Sequence, residues 1–224
     1  MKLCLGSDIH GNVKSLRYFI MKSKSVDCNL ILLAGDLSSW KDQTSIFNVL
    51  KELNSSGIIT VGVLGNSDYE NDLELLKDYE NISILHGNSI TIDDITIIGV
   101  SGIPNNQEHG SYFSLPDSKI LKFLTDALNN SNRSKYLVSI THVPPINILD
   151  LTKNNEHIGS KAVRLFIEKY HPDLHLCGHV HESEGIEKFD NTFIVNPGIM
   201  EYKKQIYYAE MEEGEEKNIF IRKF

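Results

Sequence analysis

Seven side chains of metal-ligand type follow apolar runs at five separate points of the chain. They are two carboxylates, one amide and four imidazoles: Asp8, His10, Asp36, Asn66, His142, His179 and His181. Nitrogen and oxygen donors of this kind are typical of a catalytic site that binds Mn, Fe, Zn, Ni or Co. A structural zinc site would instead be rich in cysteine. Seven ligands exceed the need of one catalytic ion, but they suit two divalent ions that share a carboxylate. Such a pair can hold both the attacking and the leaving oxygen of a phosphoryl displacement.

The apolar runs before these residues predict the strands that position them. The runs cover residues 3–5, 30–34, 58–64, 136–140 and 174–177. Ligands of open α/β sheets bind beyond the carboxyl ends of strands, so we expect the five ends to converge on one site. Glycine stands shortly before the first ligand in four of the five segments, and it permits the close backbone approach that such a site needs.

The remaining pattern predicts an α/β fold. Helical spacing indicates helices over about 12–24, 46–53, 72–77, 118–128 and 163–170, and further strands are expected over 82–85, 89–92, 96–100, 185–189, 192–195, 206–211 and 218–222. Helices dominate the first part and hairpins the last. We therefore predict two packed mixed β-sheets flanked by helices, in a single domain over residues 1–224.

Composition narrows the class of protein. The chain has 224 residues, of which 41% are hydrophobic and 23% charged, as in a globular domain. Its net charge of -8 argues against coating nucleic acid, which a basic face would bind. Three cysteines predict no disulfide framework and a reducing cytoplasm. The N-terminal apolar run is too short for a signal peptide, and no stretch predicts a membrane span.

The motifs Asp-x-His, Gly-Asp, Gly-Asn-x-Asp, Thr-His and Gly-His-x-His, in this order, resemble those of the calcineurin-like metallophosphoesterase superfamily. The resemblance spans residues 8–181, and the stretch 172–179 is similar to the small Icc-related phosphoesterase branch. It implies a four-layer α-β-β-α sandwich and a metal-dependent hydrolase of phosphate esters, most simply of phosphodiesters. A small phosphate ester is the expected partner.

The resemblance also implies a role for each matching residue. Asp8, His10 and His181 would hold the first ion, whereas Asn66, His142 and His179 would hold the second. Asp36 would bridge the two ions. A hydroxide between the ions would attack phosphorus, so Asp36, Asn66 and His142 are the predicted catalytic residues. The ions would also make the site attractive to an anionic ester despite the acidic chain.

One position departs from the family pattern. Ser67 stands where a histidine usually follows the asparagine, and that histidine is usually assigned to binding substrate or protonating the leaving group. We therefore expect weaker catalysis on alkyl esters than on esters of acidic alcohols, and we give Asp68 no catalytic role. Ser67 remains a candidate substrate-binding residue. The loops 101–117 and 143–160 are expected to rim the pocket and add further candidates: Asn105, His109 and His157.

Three other functions stay open. A nuclease of the same superfamily is disfavoured by the acidic charge and by the lack of a basic, aromatic-rich tract. A non-enzymatic scaffold should have lost ligands, whereas all seven are present, and only Ser67 favours it. A protein phosphatase is disfavoured by the short chain and by Ser67.

Overall fold

Two six-stranded mixed sheets pack face to face in the computed structural model, which describes residues 1–75, 79–105, 111–212, 214 and 216–224. In spatial order, the first sheet contains β14 (Ile219–Lys223), β13 (Tyr207–Met211), β1 (Lys2–Gly6), β2 (Leu30–Ala34), β3 (Ile59–Val63) and β4 (Ile82–Ile84). The second contains β11 (Gly185–Phe189), β12 (Thr192–Asn196), β10 (Leu174–Leu176), β9 (Tyr136–Thr141), β6 (Ile95–Val100) and β5 (Asn88–Ile92).

Five α-helices accompany the sheets within the described residues. They are α1 (Val13–Ser25), α2 (Ser45–Ser56), α3 (Asp72–Leu75), α4 (Asp117–Asn129) and α5 (Lys161–Tyr170). A short 3₁₀ helix covers His181–Ser183, and a two-stranded ribbon joins β7 (Ile103–Pro104) to β8 (Ser114–Leu115). In the described part of the chain, no helix combines the length and the apolar character that crossing a membrane would need.

The alternation of side chains along the strands creates three apolar layers. On β2, Leu30 and Leu32 face the second sheet, whereas Ile31 and Leu33 face α1 and α2 on the outside. The helices α4 and α5 cover the outer face of the second sheet in the same way, with Phe166 fully buried there. Both faces of the central strands are therefore buried, and the predicted pair of mixed sheets flanked by helices is confirmed.

The direction of the strands determines where the ligand segments meet. Strands β1, β2, β3 and β4 are parallel to one another, as are β6, β9, β10 and β12 in the second sheet, whereas β13, β5 and β11 pair antiparallel with β1, β6 and β12. Parallel strands present their carboxyl ends at one edge of a sheet. The loops after β1, β2 and β3 therefore lie side by side, and so do the loops after β9 and β10.

Local signals explain some of the element boundaries. The Asn12 side chain caps α1 by accepting a hydrogen bond of 3.1 Å from the amide of Ser15. Helix α2 ends at Gly57, whose φ of 73° is the left-handed conformation that glycine adopts easily. The loop expected over 101–117 contains the β7–β8 ribbon, whose two-residue strands are too short to show a period. The last two residues of the helix predicted over 72–77 lie outside the described residues.

Candidate metal centre

The seven predicted ligands lie together where the five strands end. The chain leaves β1 at Gly6, β2 at Ala34 and β3 at Val63, and the ligands follow within four residues of each strand. The predicted ligands that follow β9 and β10 belong to loops of the second sheet. The amide of Gly178 donates a hydrogen bond of 2.9 Å to the carbonyl of His142, which joins the two loops of that sheet.

Asp8, His10 and His181 form a first group of converging ligand atoms. Nε2 of His181 lies 3.0 Å from Oδ1 of Asp8 and 3.3 Å from Nε2 of His10. The ligand atoms of all three residues lie within 4.8 Å of one another. Two imidazole nitrogens and a carboxylate at these separations fit a divalent cation of the borderline type.

A second group surrounds His142. Its Nε2 lies 2.8 Å from Oδ1 of Asn66 and 3.4 Å from Oδ1 of Asp36. The ring of His179 approaches to 5.1 Å between ring centroids. The ligand atoms of Asp8, Asp36 and His142 lie within 4.8 Å of one another, so these three residues could hold a second metal ion.

Asp36 lies between the two groups. Its Oδ2 is 3.7 Å from Nε2 of His10, while its Oδ1 is 3.4 Å from Nε2 of His142. Each carboxylate oxygen thus faces a different imidazole. This geometry suits a carboxylate that is shared by two ions, and Asp8, which lies near both groups, is a second carboxylate between them.

Both carboxylates are held in the ionised form. Burial opposes ionisation of Asp36, but the charge and hydrogen bond of His142 lower its pKa below the ordinary value. Burial likewise opposes ionisation of Asp8, and the hydrogen bond from His181 together with the charge of His142 lowers its pKa. The site therefore carries the negative charge that attracts cations.

The histidines differ in their affinity for protons. Burial alone would lower the pKa of His142, but the charges of Asp36 and Asp8 outweigh it and raise the pKa to about 10. Burial, followed by the positive charge of His142, lowers the pKa of His179 to about 4. The hydrogen bond to Asp8 raises the pKa of His181, whereas burial lowers that of His10.

Four of the candidate ligands have a left-handed backbone, which is uncommon for residues other than glycine. The φ angles are 53° at Asp8, 48° at His10, 53° at Asp36 and 67° at His179. Hydrogen bonds between adjacent loops hold these conformations: the amide of Asp8 donates to the carbonyl of Gly35 at 3.0 Å, and that of His10 to Asp36 at 2.9 Å. Backbone strain of this kind concentrates at functional sites.

Gly65 and Gly178 have no side chain, and the carboxylates of Asp36 and Asp8 occupy the space where a Cβ atom would lie. A Cβ atom on Gly65 would overlap Oδ1 of Asp36, and one on Gly178 would lie 2.5 Å from Oδ2 of Asp8. The expected close backbone approach is thus present at both positions.

Asp68 has a structural role that the sequence did not indicate. Its buried carboxylate accepts hydrogen bonds from the amides of Gly65 at 2.8 Å, Leu37 at 3.1 Å and Ser38 at 2.7 Å. Burial and the nearby charge of Asp36 raise its pKa to about 6. Asp68 therefore ties the loop after β2 to the loop after β3, so that Asp36 and Asn66 stay in register.

Asn196 holds the loop after β10 in place, as Asp68 does for the loops after β2 and β3. Its side-chain amide donates to the carbonyl of Val180 at 2.9 Å and to that of Gly178 at 3.4 Å. Asn196 is the last residue of β12, and its hydrogen bonds to the carbonyls on either side of His179 explain why an asparagine stands there.

The candidate substrate residues have varied surroundings. Ser67 is buried, and its hydroxyl donates to the carbonyl of Ser38 at 3.0 Å. His157 is exposed, and its Nδ1 lies 2.6 Å from the buried carboxylate of Asp150. Asn105 is exposed after β7, and His109 lies outside the described residues. Substrate binding by these four residues stays a prediction.

Comparison with known proteins agrees with this fold and shows the family of the chain. The chain belongs to the calcineurin-like phosphoesterase family, whose model matches residues 1–183. It is 27% identical over 209 residues to an uncharacterized protein of Methanocaldococcus jannaschii, covering 90% of each chain. It is also 31% identical over 116 residues to a UPF0046 protein of Caenorhabditis elegans, covering 52% of this chain and 37% of that one.

Solved structures share the fold at low sequence identity. A Thermus thermophilus protein has a TM-score of 0.73 at 15% identity, over 92% of each chain. A dimetal phosphatase from Danio rerio has a TM-score of 0.69 at 11% identity, over 100% of this chain and 95% of that one. A novel archaeal phosphodiesterase has a TM-score of 0.55 at 19% identity, over 99% and 100%. The resemblance predicted from the motifs is confirmed, and the chain is a metal-dependent hydrolase of phosphate esters.

Proposed function

We propose that the chain is a phosphodiesterase that holds two divalent ions and acts on a small diester. The observation that carries the proposal is the position of Asp36, with Oδ2 3.7 Å from His10 and Oδ1 3.4 Å from His142. A carboxylate placed in this way can be shared by two ions.

Each ion would have its own set of ligands. Asp8, His10 and His181 would hold the first, Asn66, His142 and His179 the second, and Asp36 both. Manganese, iron, zinc, nickel and cobalt all suit these donors. When bound, the ions supply positive charge to the phosphate and activate a water for attack on phosphorus.

The residues of the chain orient the reacting groups. The carbonyl of Ala34 accepts a hydrogen bond from Nδ1 of His142 at 2.6 Å, which turns Nε2 towards Asp36 and Asn66. Asp68 and Asn196 keep the ligand loops in place through backbone hydrogen bonds. The polar atoms are therefore fixed before substrate arrives, as efficient transition-state stabilisation requires.

The charge of the chain favours a small substrate. A net charge of -8 repels a polyanion, whereas a single diester group needs only the local charge of the ions. Three free cysteines suit a reducing cytoplasm.

The test is hydrolysis of bis-p-nitrophenyl phosphate and p-nitrophenyl phosphate after metal-free protein is reconstituted with Mn, Ni, Co, Zn or Mg. We expect metal-dependent cleavage of the diester, reduced more than about 100-fold in Asp36→Ala and His142→Ala. Asp190→Ala is a matched control, because Asp190 is an exposed hairpin aspartate with a similar φ of 49°.

The outcomes separate the alternatives. Faster cleavage of the monoester would replace the diesterase with a phosphatase. Binding of two ions without turnover of either ester would favour a scaffold. Turnover that persists in Asp36→Ala would contradict the proposed site.

A further inference from the structure

Three exposed aromatic side chains form a cluster next to the candidate metal centre. The aromatic cluster consists of Trp40, Tyr69 and Tyr112, with ring centroids 4.7 Å apart for the two tyrosines and 5.3 Å apart for Trp40 and Tyr112. Each of the three residues remains 39–40% exposed. Aromatic rings that pack together yet stay open to solvent are typical of a binding surface.

Chain connectivity places the aromatic cluster beside the ligands. Trp40 follows Asp36 by four residues, and Tyr69 follows Asn66 by three. An extended chain spans at most about 3.5 Å per residue, so both rings start within roughly 14 Å of a ligand. Tyr112 is closer still, because its amide donates a hydrogen bond of 3.1 Å to the carbonyl of Asn66.

Local hydrogen bonds support the backbone that carries the rings of Tyr69 and Trp40. The amide of Tyr69 donates to Oδ2 of Asp72 at 2.9 Å. Trp40 lies in a turn that is closed by a hydrogen bond of 3.1 Å from the amide of Asp42 to the carbonyl of Ser39. A ligand would thus meet rings whose backbone needs little further ordering, which favours binding.

We infer that the aromatic cluster stacks on the base of a nucleoside phosphodiester whose phosphate lies at the metal centre. The inference rests on the proposed function and names its substrate class. Stacking suits a base because every base has a π face, and Trp and Tyr present large rings with little conformational freedom to lose. The acidic chain selects a mononucleotide over a polymer, since a polymer would require a basic track along its backbone.

Binding can be measured without turnover. Trp40 is the single tryptophan of the chain, so its fluorescence reports on the aromatic cluster alone. We expect saturable quenching by adenosine 5′-monophosphate in zinc-loaded protein and none by ribose 5-phosphate, which lacks the base. Equal responses to the two ligands would overturn the inference.

Variants test the contribution of each ring. Tyr112→Ala should weaken binding of adenosine 5′-monophosphate about 5- to 150-fold, the range that corresponds to loss of one stacked ring. Tyr112→Phe keeps the ring and should retain the affinity, as should Phe220→Ala, which removes an exposed aromatic residue from the edge strand β14. Unchanged affinity in both Tyr112→Ala and Tyr69→Ala would contradict the inference.

A pair of esters separates this inference from the proposed function. Adenosine 2′,3′-cyclic phosphate and ribose 2′,3′-cyclic phosphate differ only in the base. We expect wild-type protein to prefer the adenosine ester in kcat/KM and Tyr112→Ala to lose most of that preference through a higher KM. Equal hydrolysis of both esters would leave the phosphodiesterase intact and reject the base site. Base-dependent binding without hydrolysis of either ester would support the base site and reject the phosphodiesterase.

Discussion

The main-chain carbonyl of Ala34 accepts a 2.6 Å hydrogen bond from the side chain of His142. A carbonyl can only accept, so Nδ1 carries the proton and Nε2 is the atom that faces the ligands. Ala34 ends β2 of the first sheet, whereas His142 follows β9 of the second. This bond therefore joins the two sheets at the metal centre and orients a ligand at the same time.

Metal binding should release protons. The pKa of His142 is raised to about 10 in the metal-free protein, mainly by Asp36 against the opposing effect of burial, so the ring is charged at pH 7. A metal ion needs the neutral ring, and it must displace that proton. We expect the release of about one proton from His142 per chain and an affinity that increases with pH up to the pKa.

Isothermal titration in two buffers with different ionisation enthalpies measures this release. His142→Ala should release about one proton fewer than wild type at pH 7. If the heat of binding is the same in both buffers, no proton is released, and His142 is neutral before the metal binds.

Alanine at position 65 should weaken metal binding through the new Cβ atom, which overlaps Oδ1 of Asp36. We expect Gly65→Ala to lower zinc affinity about 10- to 100-fold, the usual effect of displacing a ligand's support. Gly57→Ala is the converse control: its Cβ meets no atom within 4 Å, but its φ of 73° becomes strained. That variant should lose about 1 kcal/mol of stability and keep its zinc affinity.

Removal of the Asp68 carboxylate should destabilise the protein even without metal. Three buried amides lose their acceptor in Asp68→Ala, and each unsatisfied donor costs about 1–3 kcal/mol. We therefore expect urea unfolding of the chelated protein to show a loss of at least about 3 kcal/mol. Asp190→Ala should stay near wild type. A loss confined to catalysis, with stability unchanged, would assign Asp68 to the reaction instead.

His175 should make the protein sensitive to acid. Burial lowers its pKa to about 3 from the ordinary 6.5, so the native state keeps the ring neutral while the unfolded state binds a proton below pH 6.5. Its contribution to stability is complete above pH 6.5 and declines as the pH falls towards 3. Between pH 7 and pH 5 this amounts to about 2 kcal/mol. His175→Gln should lose less stability than wild type over the same interval, measured by urea unfolding with chelator.

The hydrogen bonds of His175 explain why the neutral ring is retained. The hydroxyl of Thr141 donates to the carbonyl of Val143 at 2.7 Å, so it can only accept from Nε2 of His175 at 3.2 Å. Nδ1 then accepts from the hydroxyl of Ser139 at 2.8 Å. An equal pH dependence in wild type and His175→Gln would contradict this assignment.

The convergence of the seven candidate ligands could be predicted from the sequence because each of them follows a strand that is largely buried on both faces. The run 30–34 coincides with β2, and the run 136–140 falls one residue short of β9, since unbroken apolar runs are recognisable without knowledge of the fold. The left-handed φ angles of Asp8 and Asp36 leave no such local signal, because neighbouring loops impose them.

Features that depend on distant contacts were not predictable. The rings of Trp40, Tyr69 and Tyr112 come from three separate loops and show no common period. The lack of an aromatic-rich tract in the sequence therefore did not indicate how the aromatic side chains group in space. Asp68 was judged by its neighbour Ser67, whereas its actual partners include Leu37 and Ser38 from another loop.

The left-handed backbone at four of the candidate ligands bears on the stability of this chain. Glycine adopts such conformations freely, so replacing Asp8, His10, Asp36 or His179 by glycine would relieve strain at the expense of hydrolysis. The four left-handed side chains thus concentrate a cost in folding stability at the metal centre, as functional sites commonly do.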